Sequence, residues 1–589
     1  MKWIGSFRHG SFLGLVLFPL LGLAEQPSGD WPFYGHDHTN RRFSPLNQIN
    51  AANVGRLQLA WRVATGKPGS FQATPIVTGG VMYITTPFNH VLALDPATGQ
   101  QRWRYEHRLP ETKPCCGPAN RGAAVAYGNV YTVTLDAQLI ALDQSTGTLR
   151  WSRPLTDSAA DVGEAKKALV DERIFAQASV SGATGYSANM APQVWADTVF
   201  AGITGAGYGL HLDVESESGS VLSVVGLSGG GHGARGFLAA FDAHTGAEKW
   251  RWYTVPGPSW TGEWRTQTAD GVPLNRDISQ EKKRAAEYAE TWRMGGGSIW
   301  TTPAVDRELG LIYVGTGNPA PQMDDSTRPG DNLHTVSLVA IDAATGKTVW
   351  AYQQVPHDRW GYDVASPPVL FEARHAGMPV PAVAQASKTG WVYVHDRRNG
   401  RLLLKTEPFV PQRNLFTPPR AEGVTISPGI FGGASWSPMA LDPRQRTAYV
   451  AGIHHPVEYV VKSLVTRPGR PWHSFTYTRP LDQRSGTITA LDLDTGRIRW
   501  QRRTELPMVG GLLATAGGVI FAGEGDGRFA ALDAQTGESL WSYQSDYGVN
   551  APPITYAVGG RQYVSVAAGG NSLFRFKTGD HILTFALPR

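Results

Sequence analysis

A twelve-residue phrase returns six times along this 589-residue chain. It reads LALDPATGQQRW ending at Trp103, IALDQSTGTLRW at Trp151, AAFDAHTGAEKW at Trp250, VAIDAATGKTVW at Trp350, TALDLDTGRIRW at Trp500 and AALDAQTGESLW at Trp541. A weaker copy, YVHDRRNGRLLL, sets Leu404 in the tryptophan place, and LQLAWRVATG supplies Trp61 without the preceding strand. Each copy encodes an apolar strand ending at Asp, a Thr-Gly turn, and a strand whose Trp docks on the neighbouring unit. Such a unit cannot bury its own faces, so units must stack. Eight docking positions predict an all-β fold, an eight-bladed β-propeller with tryptophan-docking repeats around a central axis. Composition agrees: 68 Gly, 40 Pro, 19 Trp and 17% charged residues suit short strands joined by tight turns. Strands expected at Gln562–Ala568 and Ile582–Ala586 close the ring with the N-terminal segment around Asp30–Ile49.

The spacing of the copies points to where function sits. Short intervals of about forty to fifty residues fit a bare four-stranded blade. The intervals 151–250, 250–350 and 404–500 are nearly twice as long, and loops grafted on one face of a rigid ring shape a ligand funnel. One carries Asp277–Arg293, DISQEKKRAAEYAETWR, which suits a surface helix; another carries the Ser/Gly-rich insertion Glu215–Gly233. Within Gly295–Pro321 the pattern predicts strands Ile299–Val305 and Leu311–Thr316 joined by a turn at Asp306–Gly310. Three glycines ahead of Trp300 let the backbone bend sharply and present a flat indole. Asn318 stands at a strand exit, where its amide oxygen can meet a hard cation.

The net charge of +5 is too small to argue for a nucleic-acid partner, and no basic run is interleaved with aromatics. Residues 1–24 hold Lys2, Arg8 and the apolar run Ser11–Leu23, and they read as a secretory signal. The expectation is a soluble, periplasmic domain over residues 25–589, with no transmembrane segment after cleavage. Cys115 and Cys116 are the only cysteines and are adjacent. In an oxidising compartment they pair with each other or with another chain, or remain free thiols. No His-Glu-x-x-His, phosphate loop or Cys-x-x-Cys-His occurs, and His357, His454 and His455 read as loop or core histidines.

KPCCGPANRG (113–122), the GGGSIW and GTGNPAP phrases around Trp300 and Asn318, ASKTGWVYVHDR and the opening PFYGHDHTNRRFSPLNQINAANVGRLQLAW together resemble the alcohol dehydrogenases that use pyrroloquinoline quinone, PQQ. The resemblance implies that a Cys115–Cys116 disulfide covers one face of the quinone and Trp300 the other. It implies that Arg121 binds a PQQ carboxylate and that Lys388 stands beside the reactive quinone oxygens. Gln72, in the place of a Glu, and Thr204 are the further cofactor contacts so implied. It also implies a Ca²⁺ or lanthanide ion at Asn318. The chain departs from the family's pattern at several points. Gly207, in ITGAGY, stands where the family has a metal-binding Glu, and Gly361, in HDRWGYDV, where it has the catalytic Asp. Asn189, Ser435 and Val509 replace other contacts. Asp363 coincides with the extra carboxylate of the lanthanide-using branch, so it is the expected metal ligand or catalytic base in place of Gly361. Restoring Asp at 361 is then expected to preserve or raise turnover. Glu215 or Glu217 is the candidate to replace Gly207.

The implied function is a periplasmic dehydrogenase that oxidises a small alcohol or polyol and passes electrons to a separate cytochrome c or a membrane quinone. Asp363 and Lys388 are its expected catalytic residues. Two alternatives stand beside it: a propeller that binds PQQ without dehydrogenation, as binder or sensor, and a cofactor-free scaffold.

Overall fold

The computed structural model describes residue 1 and residues 29–109, 117–156, 179–180, 187–205, 211–215, 221–225, 234–320, 322–323, 325–463 and 474–589. Eight sheets share one core of four antiparallel strands, and the sheet that begins with Leu512–Thr515 adds Phe43–Ser44 as a fifth, parallel strand. In order around the chain their first and last strands are Ile76–Thr78 and Gln101–Tyr105, Ala124–Ala126 and Leu149–Pro154, Gln193–Trp195 and Glu248–Tyr253, Ala304–Asp306 and Thr348–Gln353. Then come Val369–His375 and Leu402–Lys405, Ala440–Asp442 and Ile498–Thr504, Leu512–Thr515 and Ser539–Gln544, and Ile554–Val558 and Gln58–Gly69. We number these sheets one to eight. The last strand of sheet eight comes from the start of the chain and pairs with Gly579–Ala586, whose own partner is Arg561–Ala568.

The repeated phrase has a local explanation. In the second sheet the Asp143 carboxylate accepts the backbone N–H groups of Ser145 and Thr146, which winds the turn. The glycine that follows needs φ of about +70°: it is +73° at Gly147 and +70° at Gly346. The glycine is also the landing site of a tryptophan from the preceding sheet. A Cβ on Gly147 would lie 2.5 Å from the Trp103 indole, and the same holds for Gly99 under Trp61, Gly346 under Trp250, Gly400 under Trp350 and Gly537 under Trp500. The indole N–H then donates to a carbonyl of that next sheet: Trp61 to Pro96 (3.1 Å), Trp103 to Gln144 (3.1 Å), Trp250 to Ala343 (3.0 Å), Trp350 to Arg397 (3.0 Å), Trp500 to Ala534 (3.0 Å). Trp151 and Leu404 meet Gly246 and Gly496 in the same way. The Trp541 N–H reaches Leu57 O, 3.1 Å, at the entry to the closing strand, so these contacts run from sheet to sheet and return to the first.

Four elements differ from expectation. Strand Ala304–Asp306 begins four residues after Trp300, which lies in the bend before it, and its partner ends at Gly315. The ring closes through Gln58–Gly69, where Trp61 sits; the segment before it instead crosses the inner strands of five sheets. There Val77, Val305, Leu370, Leu441 and Ala514 donate to Trp31, His38, Thr39, Arg41 and Arg42. The expected helix over Asp277–Arg293 is confined to Ile278–Arg284. Only Glu281 of that helix is buried, and none of residues 285–294 is, so nothing apolar propagates it. Last, two of the long intervals do not form independent loops. Ser179–Val180, His211–Glu215 and Val221–Val225 join Ser474–Pro480, Val457–Ser463 and Val424–Ile426 in one six-stranded sheet. Its seam is the pairing Ser223↔Thr478 and Val224↔Tyr477.

Candidate active site

The peptides that lead into the inner strands converge on Arg121. Its carbonyl accepts from Thr74 N (3.0 Å) and its N–H donates to Asn189 O (2.9 Å), tying the lead-ins of sheets one, two and three. Its guanidinium donates to Asn189 Oδ1 and to Trp300 O, 3.2 Å, in the lead-in of sheet four. The same guanidinium lies 4.8 Å from the Trp300 ring centre and 5.2 Å from that of Trp436, in the lead-in of sheet six. Trp300 is held by its glycines: Gly296 and Gly297 take φ of +81° and +79°, and Gly297 N donates to Asn318 O, 2.7 Å. A Cβ on Gly296 would meet Asn318 O at 2.6 Å, so the glycine run brings Asn318 against the Trp300 bend.

A second, buried group lies along the loop His357–Asp363. Asp358 accepts the backbone N–H groups of Trp360 (3.0 Å), Gly361 (3.1 Å) and Tyr362 (3.1 Å), winding the loop around one carboxylate. Asn318 Nδ2 donates to Asp358 Oδ2, 2.8 Å, while Asn318 Oδ1 accepts from Gln322 Nε2, 2.8 Å. Asp363 accepts Asn318 N–H at 2.6 Å on one oxygen and the Lys388 ammonium at 2.8 Å on the other. Lys388 also donates to Gly361 O, 3.0 Å. Burial pushes the Asp358 carboxyl above its usual range, with the nearby Asp363 charge adding to it. Burial pulls His357 below its ordinary value, against the pull of Asp325 and Glu281. His357 in turn meets the insertion helix, whose Glu281 carboxylate pairs with Arg276 at 2.7 Å.

The segment Ile430–Trp436 joins the two groups. Gly433 N donates to Lys388 O, 2.6 Å, Ile430 stands over Gly361, and Phe431 packs in one apolar cluster with Trp436, Val509, Phe574 and Trp300. Through these contacts the segment connects Arg121, which lies near both indoles, with the buried lysine–aspartate pair.

A sequence model described as "Glucose/ethanol/alcohol dehydrogenase, beta-propeller domain" of the PQQ type matches residues 31–202, 221–415 and 485–564. The chain belongs to this family. The quinohemoprotein alcohol dehydrogenase of Comamonas testosteroni is 33% identical over 92% of this chain and 73% of its own, and its crystal structure superposes with a TM-score of 0.77. The quinoprotein ethanol dehydrogenase of Pseudomonas aeruginosa is 31% identical over 92% of this chain and 86% of its own. A europium-containing methanol dehydrogenase superposes with a TM-score of 0.76 at 26% identity, covering 96% of this chain and 99% of its own.

Arg121 and Trp300 meet at one end of the site, and Lys388, Asp363 and Asn318 at the other. Gln72 is buried two residues before Thr74, and Thr204 follows Ile203, whose carbonyl accepts from Ile299 N, 3.0 Å, beside Trp300. Cys115, Cys116, Gly207 and Glu217 lie outside the described residues, as does the side chain of Glu215. Gly117, which follows the cysteine pair, sits between Ser70 and Ser572: a Cβ there would lie 2.6 Å from both hydroxyl oxygens.

The residues at the Arg121 end fit PQQ, a planar group bearing carboxylates. Gln72 Oε1 and Thr74 Oγ1 are buried polar atoms with no hydrogen-bond partner among the described residues, and a flat indole and a guanidinium stand with them. The described residues at the other end do not fit a hard cation, which wants six or more oxygens. Asn318 Oδ1 is engaged by Gln322, and Asp363 is neutralised by Lys388. Nor does position 361 accept an aspartate: it has φ of +86°, and a Cβ would lie 2.7 Å from Ile430 Cγ1 and 3.2 Å from Gln322 Nε2. The loop as wound thus speaks against restoring Asp there.

Sequence reasoning missed Trp436, Asp358 and Gln322. Trp436 had a readable signal, because it stands four positions before Ala440 as Trp300 stands four before Ala304. Carrying the repeat register upstream into each lead-in picks out both.

Proposed function

We propose that this chain is an exported PQQ-dependent dehydrogenase that oxidises the carbinol carbon of a small alcohol or polyol and hands electrons to a separate cytochrome c or a membrane quinone. Residues 1–24 are its export signal, and residues 25–589 form one propeller whose eight blades are sheets one to eight, closed by the tryptophan contacts. The observation that carries the reading is Arg121 between the Trp300 and Trp436 rings, in one site with the Lys388–Asp363 pair.

Trp300 offers the flat face, Arg121 a bidentate partner for a carboxylate, and Gln72, Thr74 and Thr204 further polar contacts. When bound, PQQ supplies a two-electron acceptor for hydride from the carbinol carbon. Asp363 is the base: its carboxylate receives the hydroxyl proton and, once neutral, leaves the Lys388 charge uncompensated at the same moment that negative charge develops nearby. Trp360, Tyr362 and Phe416 pack behind the loop and exclude water from that proton transfer.

The test is to load the purified protein with PQQ, with and without Ca²⁺ or a lanthanide, and to follow dye reduction across a panel of alcohols and sugars. The reading expects reduction with at least one alcohol or polyol. Bound PQQ with no turnover on any substrate would replace it with the binding-only function.

A further inference from the structure

The groups that surround Asn318 are organised around a cation the chain already owns. Asn318 is committed at both ends of its amide and at its backbone N–H, to Gln322, Asp358 and Asp363. Asp358 spends its carboxylate on three backbone N–H groups of its own loop. Asp363 places one oxygen 2.8 Å from the Lys388 ammonium, and both side chains are buried. At Gly361, where the resemblance sets a carboxylate, the space is closed by Ile430 and by the Gln322 amide, and the positive φ excludes an ordinary side chain. At Gly207 the chain again carries no side chain to offer.

We propose that Lys388 takes the electrostatic place of the metal ion, and that this site binds its quinone cofactor without a divalent or trivalent cation. The proposal rests on the PQQ reading above and deepens it. The physical reason is charge balance. Two buried carboxylates, Asp358 and Asp363, are matched by two buried cations, the Arg328 guanidinium beside Asp358 and the Lys388 ammonium on Asp363, which balances the pocket before any ligand enters. A Ca²⁺ or lanthanide ion added to that pocket would face the Lys388 charge within a few ångströms and would have to displace it from Asp363. A quinone oxygen, in contrast, can accept from the Lys388 ammonium directly, because an ammonium has three donors and Asp363 and Gly361 O use two of them. Gln322 is a positioning residue in this scheme. It holds the Asn318 oxygen, which would otherwise be open to an entering ion.

The experiment uses the full chain stripped with chelator. PQQ is titrated in three arms, chelator alone, Ca²⁺ and La³⁺, with quenching of intrinsic tryptophan fluorescence as the readout. The expected result is saturable quenching in chelator alone, with Kd changing by less than twofold in either metal arm. Lys388→Met should weaken binding at least tenfold in chelator, and Lys388→Arg should largely restore it. Tightening of tenfold or more by either cation would overturn the proposal while leaving the cofactor reading intact, and quenching in no arm would overturn both. If Lys388→Met does not fold, as judged by circular dichroism, the three wild-type arms decide alone. Unchanged affinity in a folded Lys388→Met protein would remove Lys388 from the role.

Discussion

Among single residues, Asp363 has the most decisive surroundings. The Lys388 ammonium and the Asn318 N–H hold its carboxylate in one orientation, so a side chain that keeps the shape but cannot take a proton isolates its chemistry. Asp363→Asn should lower dye-linked turnover by about 10²–10⁴-fold, the usual contribution of a positioned base, while PQQ binding persists. Asp363→Ala is the harsher change, because it strands a buried ammonium, and it should also lower the melting temperature. Gly361→Asp should destabilise the protein by roughly 1–3 kcal/mol and fail to raise turnover, measured by chemical denaturation and dye assay in parallel. This reverses the expectation drawn from sequence alone, and the reason is instructive. The identities of Asp363, Lys388, Arg121, Trp300 and Asn318 were legible because each stands in a motif. The sign of φ at Gly361 and the side chain of Ile430 above it were not, because they belong to how the loop winds on Asp358.

At the element scale the repeat explains itself through its glycines. Gly147→Ala must carry a left-handed backbone and push its methyl into the Trp103 indole, whereas Gly518→Ala, at φ of +73° with nothing within 4 Å, meets only the backbone cost. The first should cost about 1–3 kcal/mol more than the second in urea unfolding. The third strand of sheet five supplies a pH prediction. His395, in strand Val392–Asp396, is pulled down to about 4 by burial, and it packs 4.4 Å from the Tyr352 ring. The unfolded chain takes up that proton near 6.5 and the folded chain near 4, so the stability from neutral His395 is complete above pH 6.5 and is lost as pH falls toward 4. His395→Gln should flatten the acid limb of the stability curve by up to about 1.4 kcal/mol per pH unit, read from melts between pH 6.5 and 4. Local strand order was readable from alternation and turn residues. The six-stranded sheet was not, because Ser223 pairs with Thr478, and nothing local in either segment encodes a partner that distant.

Across the whole molecule, the lead-in peptides of the sheets bring Arg121, Trp300 and Trp436 to one place. Arg121 alone touches the lead-ins of sheets one, three, four and six. Six of the docking tryptophans, at 61, 103, 151, 250, 350 and 500, meet a Gly of the next copy, so that contact is written twice in the sequence. Membership of the PQQ dehydrogenase family follows from matches over most of the chain, and no helix among the described residues is long and apolar enough to cross a membrane. The central claim is that a planar quinone occupies the site that runs from Arg121 to Lys388. A crystal structure of the protein with PQQ tests it most directly. The account predicts a tricyclic ring stacked on Trp300, a carboxylate within hydrogen-bond distance of Arg121, and a quinone oxygen facing the Lys388 ammonium. PQQ bound elsewhere, or a Trp300 face covered by the protein's own side chains at saturating PQQ, would contradict it.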